Sequence, residues 1–388
     1  MRKVYVKKIM CVFGTRPEAI KMSPVISALQ REKGIDLKVC VSAQHRHMLD
    51  QVLDIFGIKS DYDLNIMEEG QSLYHITSTC LMRLKKVLRK ERPDMVLVHG
   101  DTTTTFASAL ACYYGRIPVG HVEAGLRSFD IFNPYPEEAN RVFTDRICGL
   151  LFAPTATARE NLLSEKIDPA KIFVTGNTVI DALFMAAGKK HTFTDKKLRD
   201  LLGGQVAGRV LLVTAHRREN FGKPIRNICS ALKKVAQRHN DVRIFYPVHP
   251  NPAVRGVARE ILSGEDRIHL LEPLNYMDFI NLMKVSYIVV TDSGGLQEEA
   301  PALGKPVVVM RRVTERPEAI QGGTSVLAGV EEKGILSSIN GLLDDSALYR
   351  KMSRAKNPYG DGRASERICA AIKYYFGLKR SRPPLFKS

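Results

Sequence analysis

Short apolar runs alternate with amphipathic stretches along almost the whole 388-residue chain. Continuous apolar runs are typical of strands that are buried on both faces of a parallel sheet, and the stretches between them have helical spacing. In the first half the predicted strands are 9–12, 37–41, 95–99, 119–122, 150–153 and 172–174, and the predicted helices include 24–31, 73–90 and 104–114. This repeated order predicts an α/β fold with a doubly wound parallel sheet.

A second strand–helix series follows a polar, glycine-containing segment at residues 189–208. Its predicted strands are 210–214, 242–247, 268–270, 287–291 and 307–310, and its helices lie near 225–237, 254–262, 277–285 and 296–303. The pattern predicts two Rossmann-like doubly wound parallel-sheet domains that face a cleft. We expect an N-terminal domain at 1–188 and a C-terminal domain at 189–363. Residues 364–388 should form a helix that packs back on the N-terminal domain, followed by a basic tail.

The composition of the chain indicates where the protein acts and which partners and metals it is expected to bind or to lack. Lys and Arg number 58 against 41 Asp and Glu, a formal net charge of +17. Outside the tail the charge is spread along the chain, which also suits an anionic nucleotide, so no nucleic-acid partner is expected. No apolar run reaches the roughly 18 residues of a membrane helix and no signal-peptide core is present, which predicts a cytoplasmic protein without membrane insertion. The seven cysteines and ten histidines lack metal-site spacing, which predicts buried, reduced thiols and no metal.

Polar clusters follow the predicted strands, where a ligand crevice would form. After the first strand, Arg16 and Lys21 flank a helix start that would attract phosphate. Later clusters supply carboxylates in the first half and phosphate-binding groups in the second: Asp101, Glu123, Glu137, His216, Ser293 and Arg316. Carboxylates transfer protons, whereas arginine, histidine and helix amides stabilise departing negative charge. We therefore expect proton transfer in the first domain and a phosphorylated leaving group in the second.

Several of these residues also have a structural explanation. Asp101 could cap a helix, and Glu137 could complement a helix dipole from the first turn. Ser293–Gly295 could form a plain turn, although glycines before a helix also let a phosphate approach. His121 is assigned to the core as a hydrogen-bonded histidine. Because all the clusters are predicted to lie at one end of two sheets, a functional role is favoured over a purely structural one.

Ten segments, in order, resemble those of the bacterial and archaeal non-hydrolysing UDP-N-acetylglucosamine 2-epimerases. They are GTRPEAIKM, AQHR, VHGDTTTT, GHVEAGLR, PEEANR, GNTVIDAL, HRREN, YPVHPNP, TDSGGLQEEAPALGKPV and ERPEA, which together span nearly the whole chain. The resemblance implies a glycosyltransferase-B-like fold and a homodimer. It implies reversible conversion of UDP-GlcNAc into UDP-ManNAc, a precursor of cell-surface polysaccharides. The implied route is anti elimination of UDP to 2-acetamidoglucal followed by re-addition, with no cofactor.

The matching segments also imply roles for individual residues. Asp101, Glu123 and Glu137 resemble the catalytic acids of the family, and His216 resembles the histidine that supports departure of UDP. The implied UDP contacts are Arg16, Lys21, Phe279, Ser293, Gly294, Gly295, Glu299 and Arg316, with Glu299 at the ribose and Phe279 near the uracil. The implied allosteric site for a second UDP-GlcNAc comprises Gln44, His45, Arg46, Gln71, Arg217 and His249. Which carboxylate removes the C2 proton stays open.

Three alternative functions are open to experiment. A hydrolysing epimerase would release free ManNAc and UDP, and the AQHR and HRRE segments favour the non-hydrolysing form. A glycosyltransferase of the same fold would need an acceptor site and would not need three carboxylates. A nucleic-acid-binding protein would bind DNA in a salt-dependent way, mostly through the basic tail.

Overall fold

The computed structural model describes residues 6–42, 46–66, 68, 70–202 and 208–387, apart from the side chains of 46–48. The chain divides into unit 1, which runs to Met185 and resumes at Tyr359, and unit 2, which is Ala186–Pro358. The sequence placed these borders a few residues later, at 188/189 and 363/364. Tyr359 belongs to unit 1 because it is buried and its carbonyl accepts a hydrogen bond from the Asn177 amide at 2.7 Å.

The core of unit 1 is a seven-stranded parallel sheet. Its strands are β1 (Lys7–Phe13), β2 (Ile35–Val41), β3 (Tyr62–Asp63), β4 (Met95–His99), β5 (Val119–Val122), β6 (Leu150–Ala153) and β7 (Ile172–Val174), in the spatial order β3-β2-β1-β4-β5-β6-β7. Alternate residues of β1 enter opposite core layers, with Cys11 and Phe13 in one and Met10 and Val12 in the other. Burial on both faces explains why these strands appear in the sequence as continuous apolar runs.

The helices of unit 1 cover both faces of this sheet. They include α1 (Arg16–Gln30), α2 (Arg46–Phe56), α3 (Leu73–Glu91), α4 (Thr103–Tyr114), α5 (Glu137–Ile147), α6 (Ala156–Ser164) and α7 (Thr178–Ala187). The helix start predicted after the first strand is confirmed, because α1 begins at Arg16; it includes Pro24 and extends N-terminally beyond the amphipathic stretch at 24–31. Glu18 accepts a hydrogen bond from the Thr15 amide at 2.7 Å, which stabilises this early start.

Unit 2 repeats the architecture with six parallel strands. These are β8 (Arg209–Thr214), β9 (Val242–Pro247), β10 (Ile268–Leu271), β11 (Ile288–Thr291), β12 (Val307–Val309) and β13 (Ser325–Leu327), in the order β10-β9-β8-β11-β12-β13. Its helices include α8 (Lys196–Leu202), α9 (Lys223–Arg238), α10 (Pro252–Leu262), α11 (Tyr276–Val285), α12 (Gly294–Ala302), α13 (Pro317–Gln321), α14 (Glu332–Asp344) and α15 (Ser346–Ser353). The predicted class, two Rossmann-like parallel-sheet domains, is confirmed.

The C-terminal segment belongs to unit 1. Helix α16 (Ala364–Tyr375) places Ile368 and Ile372 in the same core layer as Ile26 of α1. Beyond it, the Phe386 amide donates to the Val174 carbonyl at 2.8 Å, and Arg382 Nη2 donates to the Ile172 carbonyl at 2.8 Å. The basic tail therefore lies along β7, the edge strand of the sheet, and supplies hydrogen bonds that an exposed edge would lack.

All seven cysteines are free and buried, as the sequence predicted. Burial raises the pKa of Cys80 to about 11 and those of Cys229 and Cys369 to about 12. Because the thiolate is the reactive form, burial disfavours reaction at these thiols. Within the ranges that the structure describes, no helix is long and apolar enough to cross a bilayer.

Candidate active site

The turn between β1 and α1 is held by Gly14 and Glu18. A Cβ atom on Gly14 would lie 1.9 Å from Ser42 Oγ, so a larger residue does not fit. The buried Glu18 carboxylate accepts a hydrogen bond from the Gly14 amide at 3.0 Å. Its other oxygen accepts from the Thr102 and Thr105 hydroxyls at 2.7 and 2.9 Å. Glu18 therefore joins the loop after β1 to the loop after β4.

Helix α1 presents two predicted phosphate ligands in different environments. Arg16 is half-buried at the first residue of α1, and its side chain forms no hydrogen bond or ion pair with any described residue. Lys21, one turn later, places its Nζ atom 2.7 Å from Glu123 Oε1 and 2.5 Å from Oε2. Arg16 is thus available to an anion, whereas Lys21 also partners a predicted catalytic carboxylate.

Glu123 lies just past the end of β5, in contact with a lysine and a histidine. Besides Lys21, the His99 Nε2 atom at the end of β4 lies 2.8 Å from Glu123 Oε2. Burial of Glu123, whose side chain is 7% exposed, opposes ionisation, but Lys21 and His99 outweigh it and hold the pKa of Glu123 well below its usual range. Its backbone φ of +68° is uncommon for a residue with a side chain, and such conformations concentrate at functional sites.

Asp101 follows the neighbouring strand β4 and has a contrasting environment. Arg141 Nη2 lies 2.9 Å from Asp101 Oδ2, and Asn140 Nδ2 donates to the Asp101 carbonyl at 2.9 Å. One third of the Asp101 side chain is exposed. Desolvation, together with the negative charge of Glu123, raises the pKa of Asp101 against the attraction of Arg141. The sheet therefore presents two carboxyl groups whose pKa values are moved in opposite directions.

The structure tests the structural explanations that the sequence allowed for Asp101, Glu137 and His121. Asp101 is not the cap of α4, because Thr102 holds that position and its Oγ1 accepts from the Thr105 amide at 3.2 Å. Glu137 is the first residue of α5, half-buried, where an acid complements the helix dipole, and no other described residue pairs with it. His121 is fully buried with a partner on each ring nitrogen, so its assignment to the core is confirmed.

In unit 2, arginines border the N-terminus of α12. Ser293 is the N-cap, its side chain makes no capping hydrogen bond, and Gly294 and Gly295 begin the helix. A Cβ atom on Gly294 would lie 3.6 Å from Arg217 Nη2 and 4.0 Å from Arg316 Nη2. Helix-terminal amides together with guanidinium groups form an arrangement suited to phosphate.

A buried carboxylate fixes the loop that carries His216. Asp292, fully buried after β11, accepts hydrogen bonds through Oδ2 from the His216 and Arg217 amides at 2.9 and 2.8 Å, and from Asn220 Nδ2 at 3.0 Å. Its Oδ1 atom lies 3.1 Å from His216 Nδ1. Although burial opposes ionisation, these contacts lower the pKa of Asp292. The His249 ring stacks on His216 with centroids 6.1 Å apart, so two loops of unit 2 meet here.

The remaining predicted UDP contacts lie on helices of unit 2. Glu299 is half-buried on α12, and Phe279 is half-buried on α11. Arg316 Nε forms an ion pair with the buried Glu298 carboxylate, which orients the guanidinium group. The roles of Glu299 at a ribose and of Phe279 near a uracil stay predictions.

The family model described as UDP-N-acetylglucosamine 2-epimerase matches residues 27–373. A UDP-N-acetylglucosamine 2-epimerase from Bacillus subtilis is 50% identical over 381 residues, which cover 98% of this chain and 98% of the relative. This chain belongs to the UDP-N-acetylglucosamine 2-epimerase family. The family resemblance seen in the sequence is confirmed at this level.

Solved structures of the epimerase family share the fold. A relative from Listeria monocytogenes is 48% identical with a TM-score of 0.93, and the match covers 99% of this chain and 100% of the other. A UDP-GlcNAc 2-epimerase from Neisseria meningitidis, solved bound to UDP-GlcNAc, is 49% identical with a TM-score of 0.87 over 94% and 99% of the two chains.

The allosteric residues implied by the epimerase family are only partly described. Gln44 and His45 lie outside the described residues, as does the side chain of Arg46. Gln71 accepts a hydrogen bond from the Glu68 amide at 3.2 Å. Arg217 borders the start of α12, and His249 stacks on His216, so the structure brings these two close to predicted UDP contacts rather than setting them apart.

Three residues of this candidate site did not emerge as individual candidates in the sequence. His99 contacts Glu123, Arg141 pairs with Asp101, and Asp292 holds the His216 loop. His99 and Asp292 both adjoin the carboxyl end of a strand, and Arg141 lies one helical turn after Glu137. These positions were the signal that the sequence offered for the three residues. The residues that they contact could not be identified, because those partners are distant in the sequence.

Proposed function

We propose that this chain epimerises UDP-GlcNAc reversibly to UDP-ManNAc at C2, without net hydrolysis. The observation that carries the proposal is the carboxyl pair of unit 1, with Glu123 held ionised beside Lys21 and the pKa of Asp101 raised. Unlike environments of this kind move the pKa values of two carboxyl groups apart and so suit them to different roles in proton transfer. Membership of the epimerase family supports the choice of substrate.

The proposed reaction moves one proton between the two faces of C2. A carboxylate removes the C2 proton while the bond from C1 to the UDP oxygen breaks, which forms 2-acetamidoglucal and UDP. A proton is then returned to the opposite face of C2 while UDP adds back to C1. Each bond that is broken is re-formed, so no co-reactant is consumed. Asp101, Glu123 and Glu137 are the proposed proton carriers.

In this proposal unit 2 stabilises the departing UDP. The amides at the start of α12 and the guanidinium of Arg316 would hold the pyrophosphate, and His216 would donate to its developing negative charge. Arg16 of unit 1, whose side chain has no partner among the described residues, is proposed as a further phosphate ligand. Glu299 and Phe279 are proposed at the ribose and the uracil.

Proton NMR of the enzyme with UDP-GlcNAc in D₂O tests this function. We expect UDP-ManNAc to appear, with deuterium at C2 of both sugars, because the abstracted proton exchanges with solvent before it returns. Free ManNAc plus UDP would instead identify a hydrolysing epimerase. No change in either direction, even with UDP-ManNAc added, would favour a glycosyltransferase and start a search for an acceptor.

We further propose that a second UDP-GlcNAc activates the enzyme, through Gln44, His45, Arg46, Gln71, Arg217 and His249. The proximity of Arg217 to Gly294 and of His249 to His216 supports communication with the proposed UDP site. The rate should be sigmoidal in UDP-GlcNAc, and UDP-ManNAc alone should react slowly until traces of UDP-GlcNAc are added. A hyperbolic curve together with a fast reverse reaction would contradict an activating site.

The protein is proposed to act as a cytoplasmic homodimer that supplies UDP-ManNAc for cell-surface polysaccharides. The end of α4 carries two neighbouring exposed aromatic side chains, Tyr113 and Tyr114, whose ring centroids lie 6.2 Å apart. Exposed apolar surface of this kind often marks an interface between proteins. Sedimentation of the purified chain would measure the assembly directly.

A further inference from the structure

A buried histidine–aspartate pair connects the loops that carry Asp101 and Glu123. His121, in β5, is fully buried; its Nδ1 atom lies 2.6 Å from Asp145 Oδ1, and its Nε2 atom lies 2.7 Å from the Gly100 carbonyl oxygen. A carbonyl and an ionised carboxylate can only accept hydrogen bonds. Both ring nitrogens must therefore donate, so the ring carries two N–H groups.

The surrounding charges are consistent with a protonated ring. Arg127 Nη2 lies 2.8 Å from Asp145 Oδ2, and Arg127 Nε lies 2.5 Å from Glu165 Oε1. Burial opposes ionisation of Asp145, but His121 and Arg127 lower its pKa, so it is an acceptor. Two cations and two carboxylates then balance, which is the condition under which charged side chains are retained in a protein interior.

His121 restrains the peptide group that leads into Asp101. The Gly100 amide donates to the Val122 carbonyl at 3.0 Å, while the Gly100 carbonyl accepts from His121. Gly100 has a φ of +69°, and a Cβ atom there would meet nothing within 4 Å, so glycine is required for its conformation rather than for space. Strand β5 thus holds the peptide groups on both sides of Gly100.

Asp145 restrains the turn that follows Glu123. Its Oδ2 atom accepts a hydrogen bond from the Gly125 amide at 3.2 Å, two residues after Glu123. Asp145 lies on α5, and Glu137 and Arg141 occur on the same helix at intervals of four residues, which places all three on one face. One helix face therefore bears a predicted catalytic acid, the partner of Asp101 and the partner of His121.

We propose that His121 is a positioning residue that, as a doubly protonated ring held by Asp145, sets the relative placement of the Asp101 and Glu123 loops. The effect of this positioning on catalysis rests on the proposed function, whereas the hydrogen-bonding state of the His121 ring does not. Small displacements of catalytic groups reduce chemistry strongly while substrate contacts made elsewhere are retained. The expected signature is a change in kcat that exceeds the change in KM.

His121→Gln tests the catalytic part of the proposal. A glutamine side chain cannot donate to both Gly100 and Asp145 in the ring geometry, so we expect kcat to fall by about 10²-fold with little change in KM. His239→Gln is the matched control, because His239 is also buried and lies 3.0 Å from Asn340 Oδ1 in unit 2. The control should keep its kcat. Wild-type kcat in a folded His121→Gln variant would overturn the positioning role.

Nitrogen-15 NMR of histidine-labelled protein tests the hydrogen-bonding part without requiring activity. The His121 signals are assigned by their loss in His121→Gln or, if that variant does not fold, by their shift in Asp145→Asn. We expect both ring nitrogens to bear hydrogens at neutral pH, and a ring with one unprotonated nitrogen would contradict the proposal. An inactive wild-type protein would instead count against the proposed function, so the two failures are distinguishable.

Discussion

Replacement of Glu123 by glutamine is expected to lower kcat by about 10²–10⁴-fold while the fold is retained. The Glu123 carboxylate is held ionised by its contacts with Lys21 and His99, and the amide of glutamine can neither take up a proton nor balance the charge of Lys21. Asp101→Asn should cause a loss of similar size, because it removes the neighbouring proposed proton carrier, whose pKa is raised by desolvation. Steady-state conversion of UDP-GlcNAc to UDP-ManNAc measures both effects.

Glu91→Gln is the matched control for Glu123. Glu91 Oε2 also pairs with a lysine of unit 1, Lys8, at 2.9 Å, but Lys8 lies near the amino end of β1, whereas the proposed site lies at the carboxyl ends. The control variant should turn over normally. Near-normal turnover in Glu123→Gln or Asp101→Asn would remove that residue from the proposed mechanism.

Replacement of Asp292 by alanine is expected to lower the free energy of unfolding of unit 2 by about 3–5 kcal/mol. The change leaves the His216 and Arg217 amides and the Asn220 side chain without the carboxylate that accepts their hydrogen bonds. The same loop borders the start of α12, so UDP binding should also weaken. Urea denaturation measures the first effect, and calorimetric titration with UDP measures the second.

The contribution of Asp292 should depend on pH in a defined direction. Its pKa in the folded protein is below the value of about 3.9 expected in the unfolded chain. The stabilisation is therefore complete above about pH 4 and is lost as pH falls through the lower folded pKa. Asp241→Asn is the control, because Asp241 is half-exposed and pairs with Arg209 at the surface, where loss of an ion pair costs about 1 kcal/mol or less. Equal losses in the two variants would contradict a special role for Asp292.

Chain order alone located most of the candidate site. Asp101 and Glu123 fall just after strands β4 and β5, and the carboxyl ends of neighbouring parallel strands meet at one edge of a sheet. Ser293 and its glycines could be placed at a helix start for the same reason. The helix start near Arg16 was also located, but the amphipathic pattern was recognised only over 24–31, because Pro24 and the polar residues before it obscured the helical pattern. Prolines are tolerated within a helix when packing outweighs local preference.

The sequence by itself determined the class of fold, because the periodicity of apolar residues shows which segments are buried. It also identified the catalytic candidates, because residues that directly follow parallel strands lie at one edge of a sheet. Tertiary structure decided the electrostatics. Lys21 and Glu123 are 102 residues apart in the chain, and His216 and Asp292 are 76 residues apart. Whether the pKa of a carboxyl group is lowered or raised depends on such partners and on burial, and both exist only after the strands have been brought side by side.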